Sequence, residues 1–530
     1  MIKEAVVSDE SINFWDFQAI PTGGFSCNCR SSKYGRDDRL EFALSPNPGE
    51  IAPDAIAIAL STLCGSSYGK VDIELNVSEQ CAKAVEGYTH ASVSFSGTKG
   101  AYRQAEPSAV NFALNFSGGF DSLAAYSLMP RNLTKLVSMD WGGQFFREGL
   151  FFKRFNPYTV TTNVQRLGYC RETWTFMGIG MILFARPLDV GYGVFGGNFE
   201  ATIGQIMRCP RIAKVYQTDP FSFLGIKDMR VTHGLTEVGS IMTVMKHSPS
   251  CFGDSLKSVA APGTEKSYRK SVLSYIVNKR FGYGVDVQIQ NEPVKPAYRF
   301  GDNVALDMLC LYEMKHVGRG IASKTIMDIP ADAEDVVRGL DLSFFERVNT
   351  NFIGSIPSCC RDYYMSQLMK AGIRPYDEED WYELDVVCRY LSRWHREFNK
   401  RSENSQIGCP REHELIEIPH DFSLEAKPGL YNWTPVTGTL GRARKYELSI
   451  GLVKVDAGTA PRVCLRLYDL RNKVGISDQT FAVGGNHSIS GLRWIFETPN
   501  GDGDYRVIAY AGVPGKCDGV GVSYRDVRLS

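Results

Sequence analysis

Apolar and polar residues alternate in RLEFALS (39–45), KVDIELNV (70–77) and HASVSFSG (90–97), the period of half-buried strands. APDAIAIALSTLCG (52–65), between the first two, reads as a helix. These elements predict a small α+β domain over residues 1–108. From 109 the pattern changes. Short apolar runs (NFALNF, KLVSMDW, YTVTTNV, YGVFGG) alternate with helix-like stretches (DSLAAYSLM, QFFREGLFFKRF). That alternation predicts a parallel sheet with helices on its faces over 109–290, its functional loops at the carboxyl edge of the strands. Residues 291–410 carry apolar positions at three- and four-residue spacing and read as a helical region. Its last helix starts acidic (DEED, 377–380) and ends basic, which matches the helix dipole. SENSQIGCPRE (402–412) is polar and reads as a linker. Beyond it, short alternating runs such as RVCLRLYDL and LRWIFETP predict an antiparallel β-sandwich, jelly-roll-like, over 411–530. The expected fold class is multidomain α/β with four parts.

Hydrophobic residues make up 43% and charged residues 22% of the 530, so a globular chain is expected throughout. The formal net charge is zero, which gives no general basic surface for nucleic acid. The stretch FMGIGMILFA (176–185) stops at Arg186 and is about half the length that spans a bilayer. No secretory signal pattern opens the chain. Fourteen cysteines are scattered without a C-x-x-C. A soluble protein in a reduced, cytoplasmic setting is the expectation.

The chemistry concentrates in NFSGGFDSLAAYSLM (115–129). A short apolar strand empties through Ser117–Ser122 onto a helix N-terminus, where unpaired N–H groups and the dipole attract anions. Gly118 and Gly119 let the backbone approach a ligand. Ser117 and Ser122 add hydroxyls, and Asp121 can cap the helix or hold a cation beside a phosphate. A capped turn without ligand is the blander reading. The strand before the loop and the helix after it favour nucleotide binding.

This loop resembles the S-G-G-x-D-S signature of the PP-loop ATP pyrophosphatases, whose members include asparagine synthetase and 7-cyano-7-deazaguanine synthase. It lacks the lysine of a Walker A loop. The resemblance covers roughly 110–275 and implies a HUP-like (adenine nucleotide α-hydrolase-like) domain. It implies ATP and Mg²⁺ as cofactors and release of pyrophosphate after adenylation of a substrate oxygen. By the same resemblance, Ser117, Gly118, Gly119, Asp121 and Ser122 grip the nucleotide and Asp121 holds Mg²⁺. LVSMDWGGQ (136–144) is similar to a relative's second strand, which sets Asp140 and Trp141 beside the adenosine. GVFGGNFEAT (193–202) is similar to a Gly-x-Asn turn, which adds Gly197, Asn198 and Glu200. Asp121, Ser117, Ser122 and Lys266 are the expected catalytic residues. Glu200, Arg208 and Arg269 are the expected substrate contacts. Glu237 stands where relatives carry lysine. The four-cysteine zinc site of the deazaguanine enzyme has only Cys251 as a counterpart, so no zinc is expected.

Other signals change the picture less. GYGVFG (191–196) matches a dinucleotide fingerprint by letters, but its glycines lead into a strand. NGDGDYR (500–506) reads as a hairpin turn, not a calcium loop. Cys209, between Arg208 and Arg211, could have its pKa lowered by those charges, but an unreactive thiol is the favoured reading. Tyr431, Trp433, Tyr468, Trp494, Tyr510 and Tyr524 could stack on sugars or pack the core of the C-terminal part. The expected function is ATP-dependent ligation. A small-molecule or sugar-acid substrate is adenylated, and ammonia or an amine, supplied by a partner protein, displaces AMP. Nucleobase or tRNA modification and a non-catalytic nucleotide-binding scaffold stay open as alternatives, as does a homo-oligomer.

Overall fold

The computed structural model describes residues 8–98, 111–202, 218–395 and 398. Beyond 400 it describes 422–424, 445–455, 462–469, 474–482, 488–499, 505–513, 516–517 and 522–529. The chain divides into two compact units, residues 1–400 and 401–530.

The first unit is built on one ten-stranded sheet. Its strands are β1 (Ser11–Ala19), β2 (Gly24–Ser31), β3 (Arg36–Ser45), β4 (Lys70–Val77) and β5 (Ser92–Thr98). Then come β6 (Phe112–Asn115), β7 (Thr134–Asp140), β8 (Tyr158–Thr162), β9 (Tyr192–Val194) and β10 (Lys227–Met229). The spatial order is β10-β9-β6-β7-β8-β3-β2-β1-β4-β5. β10, β9, β6, β7 and β8 pair in parallel. Counted in chain order, these five lie 3-2-1-4-5, the doubly wound arrangement, with its switch point between β6 and β9. β8 then joins β3 antiparallel, pairing Phe42 with Thr162 and Ser45 with Thr159.

The boundary expected at 108–109 is thus not a boundary between sheets. The reason is packing. Ile12, Phe14, Cys27, Leu40 and Val71 from the N-terminal strands share one buried cluster with Ala113, Val137 and Val160 of the parallel half. Helix α1 (Pro53–Cys64), buried on almost every side, packs in that cluster against β4 and α6 (Ile179–Phe184). Cys27 and Cys29 serve there as small apolar residues. The stretch FMGIGMILFA folds into a 3₁₀ turn (Trp174–Gly178) and α6, packed on β6, β7 and β8. Among the described residues no helix is long and apolar enough to cross a membrane.

The parallel strands of this sheet feed the carboxyl-edge loops. β6 reads Phe-Ala-Leu-Asn because a central parallel strand is buried on both faces. Ala113 faces the α1/α6 core, while Phe112 and Leu114 are buried away from it. α3 (Phe120–Leu128) follows at once and packs on β6 and on α7 (Glu237–His247). α4 (Phe146–Phe152) follows β7, with α2 (Glu79–Thr89) and α5 (Val164–Leu167) lying elsewhere in this unit. α8 (Pro249–Ser258), α9 (Glu265–Phe281) and α10 (Val304–Val317) complete the surroundings of the loops, α10 packing on α9. The helices expected over 291–410 therefore belong to this unit.

The second unit contains two four-stranded antiparallel sheets. One runs Phe422–Leu424, Val522–Leu529, Lys445–Val455, Ser488–Glu497; the other runs Val474–Ala482, Arg462–Asp469, Tyr505–Val513, Lys516–Cys517. Leu492, Trp494 and Phe496 are buried while Arg493, Ile495 and Glu497 are exposed, the period-two pattern of a half-buried strand. Trp494 packs on Phe496 at 4.4 Å, so it is a core residue. Tyr468 is half-buried. Tyr431, Trp433, the side chains of Tyr510 and Tyr524, and residues 500–504 lie outside the described residues.

Candidate functional site

The loop Phe116–Gly119 turns β6 into α3, beside the switch point. Gly118 has a φ of +79°, a left-handed value, and a Cβ there would lie 2.3 Å from the Phe151 ring of α4. Its N–H donates to Ser122 Oγ at 2.9 Å, and its carbonyl accepts from Ser255 Oγ of α8 at 2.7 Å. Ser122 Oγ in turn donates to the Gly119 carbonyl at 3.0 Å. Ser122 is a strut that closes the loop on itself. Ser117 Oγ accepts from Gly119 N–H at 3.3 Å and lies 3.3 Å from Ser122 Oγ. Gly119 is the helix N-cap and brings no capping side chain. The N–H groups of the first turn, Phe120 to Ser122, are therefore left without intrahelical or capping acceptors.

Asp121 sits in this first turn, and its Oδ1 is buried without a hydrogen-bond partner. The loop after β9 presses against it: a Cβ on Gly196 would lie 3.1 Å from Asp121 Cβ and 3.0 Å from its carbonyl carbon. The next residue, Gly197, donates its N–H to Thr232 Oγ1 at 2.9 Å. Asn198 is buried and accepts from Ser240 Oγ of α7 at 3.0 Å. Glu200 is 2% exposed; one oxygen accepts the Glu237 N–H at 2.8 Å and the other, Oε2, is buried without a partner. Burial and the neighbouring Glu237 carboxylate push Glu200 up to about 8.

Glu237 opens α7 and is buried. Burial raises it, but Arg269 (2.6 Å) and Lys270 (2.5 Å) overcome that and bring it to about 2. Arg269 also pairs with Glu265 at 2.7 Å. Arg269 is thus committed inside the protein, and the substrate contact expected of it has no free guanidinium to use. Lys270 lies 5.4 Å from the centre of the Phe120 ring, which stacks on Phe252 at 5.0 Å. Lys266, one turn earlier on α9, is the exposed basic residue of the group. Burial of its surroundings and the Lys270 charge push its ammonium down, while Glu148, Glu237 and Asp121 work against that shift.

Asp140 ends β7 as expected, but it is occupied. Lys153 pairs with it at 2.9 Å and the Gly142 N–H donates to it at 3.2 Å. Trp141 is half-buried against Phe176, ring centres 5.3 Å apart. The structure therefore brings Ser117–Ser122, Gly197, Asn198, Glu200 and Lys266 into one region, with Asp140 and Trp141 ending the neighbouring strand. Arg208, Cys209 and Arg211 lie outside the described residues.

Two residues of this region escape a reading of the sequence. Buried His233 lies under the β9 loop, its Nε2 3.2 Å from where a Gly197 Cβ would stand. Burial and Arg230 push it down to about 3. Glu148 of α4 is half-buried, and burial pushes it up to about 7. The available signal for Glu148 was position: it lies in the connection leaving the carboxyl end of β7.

No family model matches the chain, and no curated protein matches it. Among solved structures it is similar to the crystal structure of accessory secretory protein 1,2 and 3 in Streptococcus pneumoniae. The identity is 14%, over 24% of this chain and 91% of that one, with a TM-score of 0.14.

Proposed function

We propose that the chain is an ATP-dependent, AMP-forming enzyme of the PP-loop pyrophosphatase type, its parallel half a HUP-like domain working in the cytoplasm. One observation carries the reading: Ser-Gly-Gly-Phe-Asp-Ser joins the central strand to a helix at the switch point of a 3-2-1-4-5 sheet, its first-turn N–H groups uncapped. The residues fit the ligands the reading needs. The uncapped N–H groups and Ser117 suit a polyphosphate. The buried, unpartnered Oδ1 of Asp121 suits a divalent cation. When bound, Mg²⁺ supplies neutralisation of phosphate charge.

In this reading Gly118 and Ser122 hold the loop's shape, and Lys266 brings positive charge to the leaving pyrophosphate. Asp121 fixes the metal. A carboxylate or carbonyl oxygen of the acceptor attacks the α-phosphate, the bond to pyrophosphate breaks, and a nitrogen nucleophile then displaces AMP. The chain's contribution is positioning and charge compensation. The acceptor is a small molecule or sugar acid, and the nitrogen comes from ammonia or an amine.

The test is release of pyrophosphate from ATP across panels of acids and amines, with Asp121→Ala as the control. AMP and pyrophosphate are the expected products, lost at least a hundredfold in the variant. ADP and orthophosphate as products would overturn the reading.

A further inference from the structure

The polyphosphate site as read so far has one wall, the loop and the start of α3. α4 forms a second surface against the same loop. Phe151 occupies the space a Gly118 side chain would need. Gly149 lies against Asp140, whose Oδ1 would be 3.3 Å from its Cβ. α4 also packs on α8, whose Ser255 holds the Gly118 carbonyl. Glu148 is next to Gly149 on this fixed helix. It is half-buried, and among the described residues its carboxylate makes no hydrogen bond or ion pair.

The charges around it are few. β7 brings Asp140, paired with Lys153, and the exposed Lys135. α8 brings Asp254, paired with Arg154, and Lys257. α4 itself brings Arg147, which lies over Phe146. The one charge that acts on Glu148 is Lys266, which also feels Asp121, Glu237 and Lys270. Lys266 therefore links Glu148 to the loop. A bare carboxylate facing a polyphosphate would repel it; a carboxylic acid in the same place donates a hydrogen bond to it.

Building on the nucleotide reading above, we propose that Glu148 and Lys266 form the second wall of the polyphosphate site, Glu148 taking up a proton as the polyanion enters and donating it in a hydrogen bond to a phosphate oxygen, Lys266 supplying the opposing positive charge. The bookkeeping is simple. One proton comes from solvent, the Glu148 carboxylate becomes neutral, and no other bond changes. Burial lifts Glu148 to about 7, so above that pH the free protein carries mostly the carboxylate and binding takes up a proton. Above pH 7, affinity should fall about tenfold per pH unit.

The experiment is calorimetric titration of the full chain with magnesium-saturated α,β-methylene-ATP, whose phosphates stay ionised over the range. Buffers of differing ionisation enthalpy at pH 6.5 and pH 8 report protons exchanged. The wild type should take up close to one proton at pH 8 and far less at pH 6.5. E148Q should lose most of that uptake and bind with nearly equal affinity at both pH values. E148A, a second variant in case the first folds poorly, should lose the uptake too. K266M should bind roughly tenfold more weakly and, with the cation that holds Glu148 down removed, take up less proton at pH 8 than the wild type. Binding without proton uptake in the wild type, or equal uptake in E148Q, overturns the inference and leaves the nucleotide reading standing. Absence of nucleotide binding in the wild type overturns both.

Discussion

Gly118 and Gly119 look alike in the sequence and carry different constraints. A side chain at Gly118 meets both a left-handed backbone (φ +79°) and the Phe151 ring; Gly119 has a φ of −69° and no neighbour closer than 3.4 Å. Gly118→Ala should therefore cost about 2–4 kcal/mol, and Gly119→Ala, at an N-cap, less than about 1 kcal/mol. Thermal unfolding of the two variants checks this; equal shifts would refute the loop geometry. The glycines, the serines and Asp121 were legible because their spacing between strand and helix is local. What each side chain does was less so. Ser122 reads as a ligand hydroxyl but spends its bonds on Gly118 and Gly119. Arg269 reads as a free cation, and only the arrival of Glu237 from another helix shows that it is not.

α9 shows why an element can be located from sequence and still be misread. Its opening, Glu-Lys-Ser-Tyr-Arg-Lys, looks like a solvated face, yet Glu265, Arg269 and Lys270 are all buried. Burial is affordable there because α7 presents Glu237 to both cations. Breaking such a pair leaves uncompensated charge inside. Glu237→Gln should destabilise the fold by about 3–5 kcal/mol, read from urea unfolding midpoints. Arg269→Lys should rescue Arg269→Ala only in part, since an ammonium cannot serve Glu237 and Glu265 with one planar fork. The strands show the same limit. β3, β4 and β5 alternate cleanly and were visible, whereas β1 was not. Its register shifts between Trp15 and Gln18, and Asp16 takes a φ of +52°, so the period of two is interrupted inside the strand.

Over the whole first unit, the buried titratable groups and the continuous sheet make predictions that no single element does. Glu200 sits near 8 when folded, against the usual carboxylate value of 4.5, so the folded chain keeps a proton that the unfolded chain releases. Its contribution is present below about 4.5 and lost as pH rises toward 8, a change of roughly 2–4 kcal/mol that Glu200→Gln should flatten. His233 acts oppositely. Held neutral down to about 3, it costs stability as pH falls below 6.5, so unfolding midpoints should be highest where the two windows overlap, from about 4.5 to about 6.5. The sheet sets the last expectation. β3 pairs along β8, and the residues of β1 to β4 share their core with β6, β7 and α6. A chain lacking residues 1–108 loses that whole side of the core and leaves the β8 edge unpaired, so it should be recovered aggregated. A chain ending at Lys400 cuts where the two units divide and leaves the sheet intact. It should unfold cooperatively, with a midpoint within a few degrees of the matching transition in the full chain. If the outcomes were reversed, the residues before 109 would be an appendage, and the shared core would have to be abandoned.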